Sequence, residues 1–163
     1  MSTPTCTHSP EAAKQPTRAA CAGEAPEIAD RGIRERALRV VCADDHVGFL
    51  TSVVETLERA GMRVVGVSAT GRGAVEAIRE VAPDVAVLDY RMPGLSGVEV
   101  ARIVRDRFPA TRIVILSAYA DPELVELALQ AGAAAFVSKD SQPEEIVKSV
   151  LHAASARTNE SSR

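Results

Sequence analysis

Between Leu38 and Ala154 the chain alternates two kinds of apolar pattern. Five short apolar runs predict strands: Leu38-Arg39-Val40-Val41-Cys42-Ala43, Met62 to Ala69, Val85 to Asp89, Arg112 to Ser117, and Ala134 to Ser138. Their apolar residues are consecutive, which suits strands buried on both faces, as in a parallel sheet. Each run is followed by apolar residues at helical spacing. Leu50, Val53, Val54 and Leu57 recur at i, i+3, i+4 and i+7. Ala74, Ile78 and Val81 mark a second helix, and Ile146, Val147, Val150, Leu151 and Ala154 mark the last.

The punctuation agrees with this division. Arg59 and Gly61 stop the first helix, and the Pro83 region stops the second. Ser96 to Glu99 has the spacing of a capping box, and Phe108-Pro109 ends the helix it opens. Asp121-Pro122 predicts an N-cap followed by proline at the first helical position, with Gly132 as the stop. Ser141 to Glu144 again has capping-box spacing. Five strands joined by five helices through short connections predict an α/β domain over 37–155, a parallel sheet with helices on both faces.

Outside that domain the pattern lapses. Residues 1–36 mix Thr, Pro, Ser, Ala and Glu without a period, which predicts a disordered extension. Within it, Ile28 to Arg36 reads as a short charged helix, while Cys6 and His8 alone make a weak metal motif. Residues 156–163 read as a polar tail. A net charge of −3 lends no support to phosphate-backbone binding. Cys6, Cys21 and Cys42 form no CxxC pair, and Cys42 reads as a small buried apolar residue. The pattern holds no signal peptide and no apolar run of about 18 residues, so a cytoplasmic location is expected.

The chemistry collects at one edge. In a parallel sheet the carboxyl ends of all strands lie together, where open α/β sheets bind ligands. Found there are Asp44 and Asp45 after the first strand, Asp89 at the end of the third, Ser117 at the end of the fourth and Lys139 after the fifth. Singly, each has an ordinary explanation as a solvated acid, a structural hydroxyl or a surface lysine. Their shared position argues against five separate accidents. Three converging carboxylates invite a hard divalent cation, and Mg2+ suits such an open oxygen cluster. Lys139 can pair with a phosphoryl oxygen and Ser117 can donate to it. Together these predict phosphoryl transfer onto the Asp89 carboxylate.

Four segments carry a resemblance: Ala43-Asp44-Asp45-His46, Leu88-Asp89-Tyr90-Arg91-Met92-Pro93-Gly94, Ile115-Leu116-Ser117-Ala118, and Gly132-Ala133-Ala134-Ala135-Phe136-Val137-Ser138-Lys139. The span from Leu38 to Ala154 resembles the receiver domain of two-component response regulators. Its spacings of 44 residues from Asp45 to Asp89, 28 from Asp89 to Ser117 and 22 from Ser117 to Lys139 are similar to that family's. The resemblance implies a doubly wound, flavodoxin-like sheet of strand order 2-1-3-4-5. It implies Asp89 as phosphoacceptor and a Mg2+ site of Asp44 (through water), Asp45, Asp89 and the backbone carbonyl of Arg91. Lys139 would contact the phosphoryl group, and Ser117 with Phe136 would form the switch pair. A sensor histidine kinase or histidine phosphotransfer protein would donate the phosphoryl group.

Such a protein signals by contact and is not an enzyme. Its output would run through the fourth helix, fifth strand and fifth helix to a downstream protein partner or a homodimer. Val125 and Leu129 leave the fourth helix apolar on more than one side, either as partner surface or as further core. Phe136 replaces the frequent tyrosine, and Asp140 follows Lys139 where proline is common. The Lys-Asp pair resembles the branch that carries a helix-turn-helix output domain, which the polar tail is too short to contain. A stand-alone receiver and the receiver part of a DNA-binding transcription regulator are both compatible with this pattern. A Mg2+-dependent phosphohydrolase of the haloacid-dehalogenase kind would want an acid two residues after Asp89, where Arg91 stands. Arg91 and Tyr119 flank the phosphoacceptor.

Overall fold

The computed structural model describes residues 36–160. The predicted extension before Arg36, with its charged helix and the Cys6–His8 pair, lies outside the described residues. Strands β1 (Arg39–Ala43), β2 (Arg63–Ser68), β3 (Val85–Asp89), β4 (Arg112–Ser117) and β5 (Ala135–Ser138) alternate with helices α1 (Val47–Arg59), α2 (Gly71–Val81), α3 (Gly97–Arg107), α4 (Pro122–Gln130) and α5 (Pro143–Glu160). All strand pairs are parallel, in the order β2-β1-β3-β4-β5.

Alternate residues of each strand feed two separate cores. Val41, Leu88, Ile113 and Ile115 pack with Ile78 of α2, Val100 and Val104 of α3 and Ala128 of α4. Val40, Val87, Val114 and Leu116 pack on the other face with Val53 and Leu57 of α1 and Ile146 and Val150 of α5. β3, at the centre, is buried at every residue. The edge strands are less covered than their apolar runs predict. β2 is mostly half-exposed, and Val67 is 57% exposed, because only one neighbour covers its edge.

Sequence punctuation translates directly into caps. Ser96 and Glu99 form a reciprocal capping box on α3, and Asp121 caps α4 ahead of Pro122. Gly61 and Gly132 turn the chain at positive φ (83° and 104°), which glycine adopts without a Cβ clash. At the start of α5 the first helical residue is Pro143, so Gln142 rather than Ser141 flanks the helix. The predicted polar tail from residue 156 is instead helical as far as Glu160. Ala153, Ala154, Ala156 and Arg157 are good helix formers, with no glycine or proline to stop them. The chain leaves β1 toward β2 on one side and crosses to β3 on the other. That reversal opens a crevice at the strand ends.

Candidate functional site

The crevice gathers the predicted residues. Asp44 directly follows β1, Asp89 closes β3, and Ser117 closes β4; all three are buried. Asp45 is exposed at the rim. Asp44, Asp45 and Asp89 each bring a carboxylate oxygen within 4.8 Å of the others'. Lys139, one residue past β5, reaches back across the sheet edge. Its Nζ lies 2.6 Å from Asp44 Oδ2 and 3.1 Å from Asp89 Oδ1. The other Asp44 oxygen accepts the backbone N–H of His46 at 2.8 Å.

The backbone holds these groups in place. The Lys139 N–H donates to the Ser117 carbonyl (2.8 Å), and the Tyr90 N–H to the Leu116 carbonyl (2.7 Å). Those bonds fix the positions from which Lys139 and Asp89 project. Gly97 opens α3 directly behind Asp89, and a Cβ there would collide with the Asp89 carbonyl oxygen. The Gly97 N–H donates to the Tyr90 carbonyl at 3.0 Å. The helix start thus braces the β3 end.

Burial pushes the Asp89 carboxyl above its ordinary range, and the Asp44 charge adds to it. Opposing them are the Lys139 hydrogen bond and charge and the Arg91 backbone N–H. For Lys139, burial acts to lower the pKa, but the hydrogen bonds and charges of Asp44 and Asp89 outweigh it and raise it. That both partners move upward follows from the geometry. One ammonium serves two buried carboxylates and sits nearer to Asp44. Three acids against one base leave negative charge over, and hard oxygen donors at this spacing fit Mg2+.

Around this centre, Ser117 Oγ accepts the Tyr119 N–H at 3.2 Å. The Arg91 guanidinium lies 5.6 Å over the exposed Tyr119 ring, beside an open hollow also lined by Asp121 and Leu124. Phe136 is half-buried against the core under α2, α3 and α4. It pairs with Ile115, two residue pairs away from Ser117 along the β4–β5 ladder. On α4, Val125 is half-buried and Leu129 is 49% exposed, so Leu129 is surface rather than additional core.

The family model of the response regulator receiver domain matches residues 40–151. The chain belongs to that family. As a receiver, it is 48% identical over 121 residues to the probable transcriptional regulatory protein NarL of Mycobacterium tuberculosis, covering 74% of this chain and 56% of NarL. It is 30% identical to the chemotaxis protein CheY of Thermotoga maritima, covering 69% of this chain and 93% of CheY. A structure of the signal receiver domain of M. tuberculosis NarL superposes with a TM-score of 0.72 at 46% identity, covering 75% of this chain and 99% of that one. The chain therefore contains a NarL-like receiver domain of a two-component response regulator, and it spans about half the length of the NarL proteins it matches.

Two residues of the receiver site escaped sequence reasoning. Gly97 was legible only as the residue after a capping serine. Phe49, whose ring lies 4.7 Å from Lys139 Nζ, stands just before the apolar stripe that begins at Leu50 and was not singled out.

Proposed function

We propose that this receiver is a phosphorylation switch with Asp89 as the phosphoacceptor. The observation that carries the reading is the Lys139 ammonium shared between Asp89 and Asp44 inside a three-carboxylate cluster. Asp44, Asp45 and Asp89, with the Arg91 carbonyl as a further oxygen, would hold a Mg2+ ion, which would supply charge neutralisation at the phosphoryl group. The ionised Asp89 carboxylate attacks the phosphorus of a phosphohistidine or an acyl phosphate. The bond to the donor nitrogen or oxygen breaks, and its electron pair leaves with the donor. Lys139 moves onto a phosphoryl oxygen, and the Ser117 hydroxyl donates to another. The space Ser117 leaves is taken by the Phe136 ring.

The new charge shifts the equilibrium only through contacts that differ between the two states, so Ser117 and Lys139 are the groups that bias it. Coupling of this kind is worth about 1–3 kcal/mol. Upstream the partner is a sensor histidine kinase or histidine phosphotransfer protein. Downstream it is a protein or a second copy at the α4/β5/α5 face, where Leu129 is exposed. No described helix is long and apolar enough to cross a membrane, and the proposed location is the cytoplasm. The 48% identity to NarL supports a second reading at the level of the whole protein, a transcription regulator of which this is the receiver part.

Intact mass after incubation with Mg2+ and a small acyl phosphate tests the central claim. One added phosphoryl group is expected on the wild type and none on Asp89→Asn. No addition to the wild type, or equal addition to the variant, overturns it. A phosphoryl mimic should change amide exchange within residues 117–139; unchanged protection there removes the switch.

A further inference from the structure

We infer that Phe49 is a positioning residue that holds the Lys139 ammonium at the crevice independently of the carboxylates. The inference rests on the reading of Lys139 as the phosphoryl-contacting cation. Lys139 Nζ lies 2.6 Å from Asp44 Oδ2, 3.1 Å from Asp89 Oδ1 and 4.7 Å from the centroid of the Phe49 ring. That last distance is well within the ~6 Å over which an aromatic face attracts a cation.

The ring is not free to wander. Phe49 sits in the first turn of α1, where its backbone N–H donates to His46 Nδ1 at 3.2 Å. Its side chain is half-buried against the core shared by α1, α5 and the strands. The aromatic face is therefore presented to the crevice by a capped helix end and a packed core.

The consequence comes from competition. Asp44 and Asp89 are the carboxylates a divalent cation needs, and Lys139 holds an oxygen of each. When that cation is bound it draws on the same two carboxylates and weakens their hold on the ammonium. Its long flexible stem would then let it swing into solvent, at a cost in rotamer entropy each time it returned. The Phe49 face is a site for the ammonium that takes no carboxylate oxygen. It keeps the charge beside Asp89 while the acids are engaged elsewhere. A leucine at this position would preserve most of the packing but not the ring's negative face.

The test compares Phe49→Leu and Phe49→Tyr with the wild type. The first measurement is the NMR shift of the Lys139 ε-methylene protons, assigned by its loss in Lys139→Arg, with and without saturating Mg2+. Ring-current displacement is expected in the wild type under both conditions and in Phe49→Tyr, and not in Phe49→Leu. The second is the rate of phosphoryl uptake from a small acyl phosphate. Phe49→Leu should be slower by about 3- to 10-fold, with Phe49→Tyr near wild type. A Mg2+-saturated wild type whose Lys139 shift equals that of Phe49→Leu overturns the inference, as does an equal rate loss in both variants. Should the wild type itself take up no phosphoryl group, the Asp89 reading fails, and the NMR comparison still decides the role of Phe49.

Discussion

The ammonium of Lys139 lies closer to Asp44 (2.6 Å) than to Asp89 (3.1 Å). The sequence places Lys139 on the phosphoryl side and Asp44 on the metal side, and the ammonium bridges Asp44 and Asp89. The arrangement leaves Asp89 buried and less fully compensated than Asp44. It also means that a metal ion and Lys139 draw on the same two carboxylates. Each consequence can be measured.

Asp89→Asn should be more stable than the wild type at neutral pH in the absence of divalent cations. A carboxyl whose folded pKa is raised binds a proton more tightly in the native than in the unfolded state. It therefore weakens the fold above its folded pKa, and the weakening fades as pH falls toward the ordinary carboxylate value of about 4. Thermal melts across this range should show the variant's advantage shrinking on acidification. A constant or reversed gap would contradict the burial argument.

Lys139→Met removes the ammonium that contacts both buried acids. At neutral pH the loss is expected to be about 3 kcal/mol by urea denaturation, the low end for breaking a buried pair because Lys139 is 16% exposed. Because the Lys139 pKa is raised, its contribution is fully present below the ordinary lysine value and is lost as pH rises from there through its folded pKa. Acidification should narrow the difference from the wild type as Asp89 becomes protonated.

Mg2+ should raise the melting temperature of the wild type, by an amount corresponding to ~2.7 kcal/mol at one hundred times its dissociation constant. Asp45→Asn should shift that titration to higher Mg2+. Lys139→Met should shift it to lower Mg2+, because the competing ammonium is gone. Equal midpoints for all three proteins would separate the carboxylate cluster from metal binding.

Gly97→Ala should cost about 1–3 kcal/mol, since the new methyl group meets the Asp89 carbonyl oxygen and the β3 end must move. Phosphoryl uptake should slow as well, because the displaced backbone carries Asp89. A Gly94→Ala control separates the two kinds of glycine. Gly94 has open space around it but a φ of 86°, so alanine there is strained by its own backbone and pushes on nothing.

Much of this was legible in the order of residues. Apolar runs ending in Asp44, Asp89, Ser117 and Lys139 needed only the rule that parallel strands end along one edge. Ser96, Asp121, Gly61 and Gly132 marked helix ends because their chemistry is local, between a side chain or a φ angle and the next few peptides. What depends on neighbours distant in sequence was hidden. Val67 belongs to an apolar run but lies on an edge strand with one open side. The continuation of α5 to Glu160 was missed because polarity was read as an ending, although no helix breaker stands there.

The sequence by itself determined the five-fold alternation and the identity of the groups at the sheet edge, since periodicity and caps are properties of short stretches. Only the tertiary structure decided which of those groups touch. It set Lys139 across Asp44 and Asp89, laid it over the ring of Phe49 and placed Gly97 against the back of Asp89. Residues 44 and 49, 89 and 97, and 139 come from three separate stretches of the chain, so the distances between those stretches follow from how strands and helices pack.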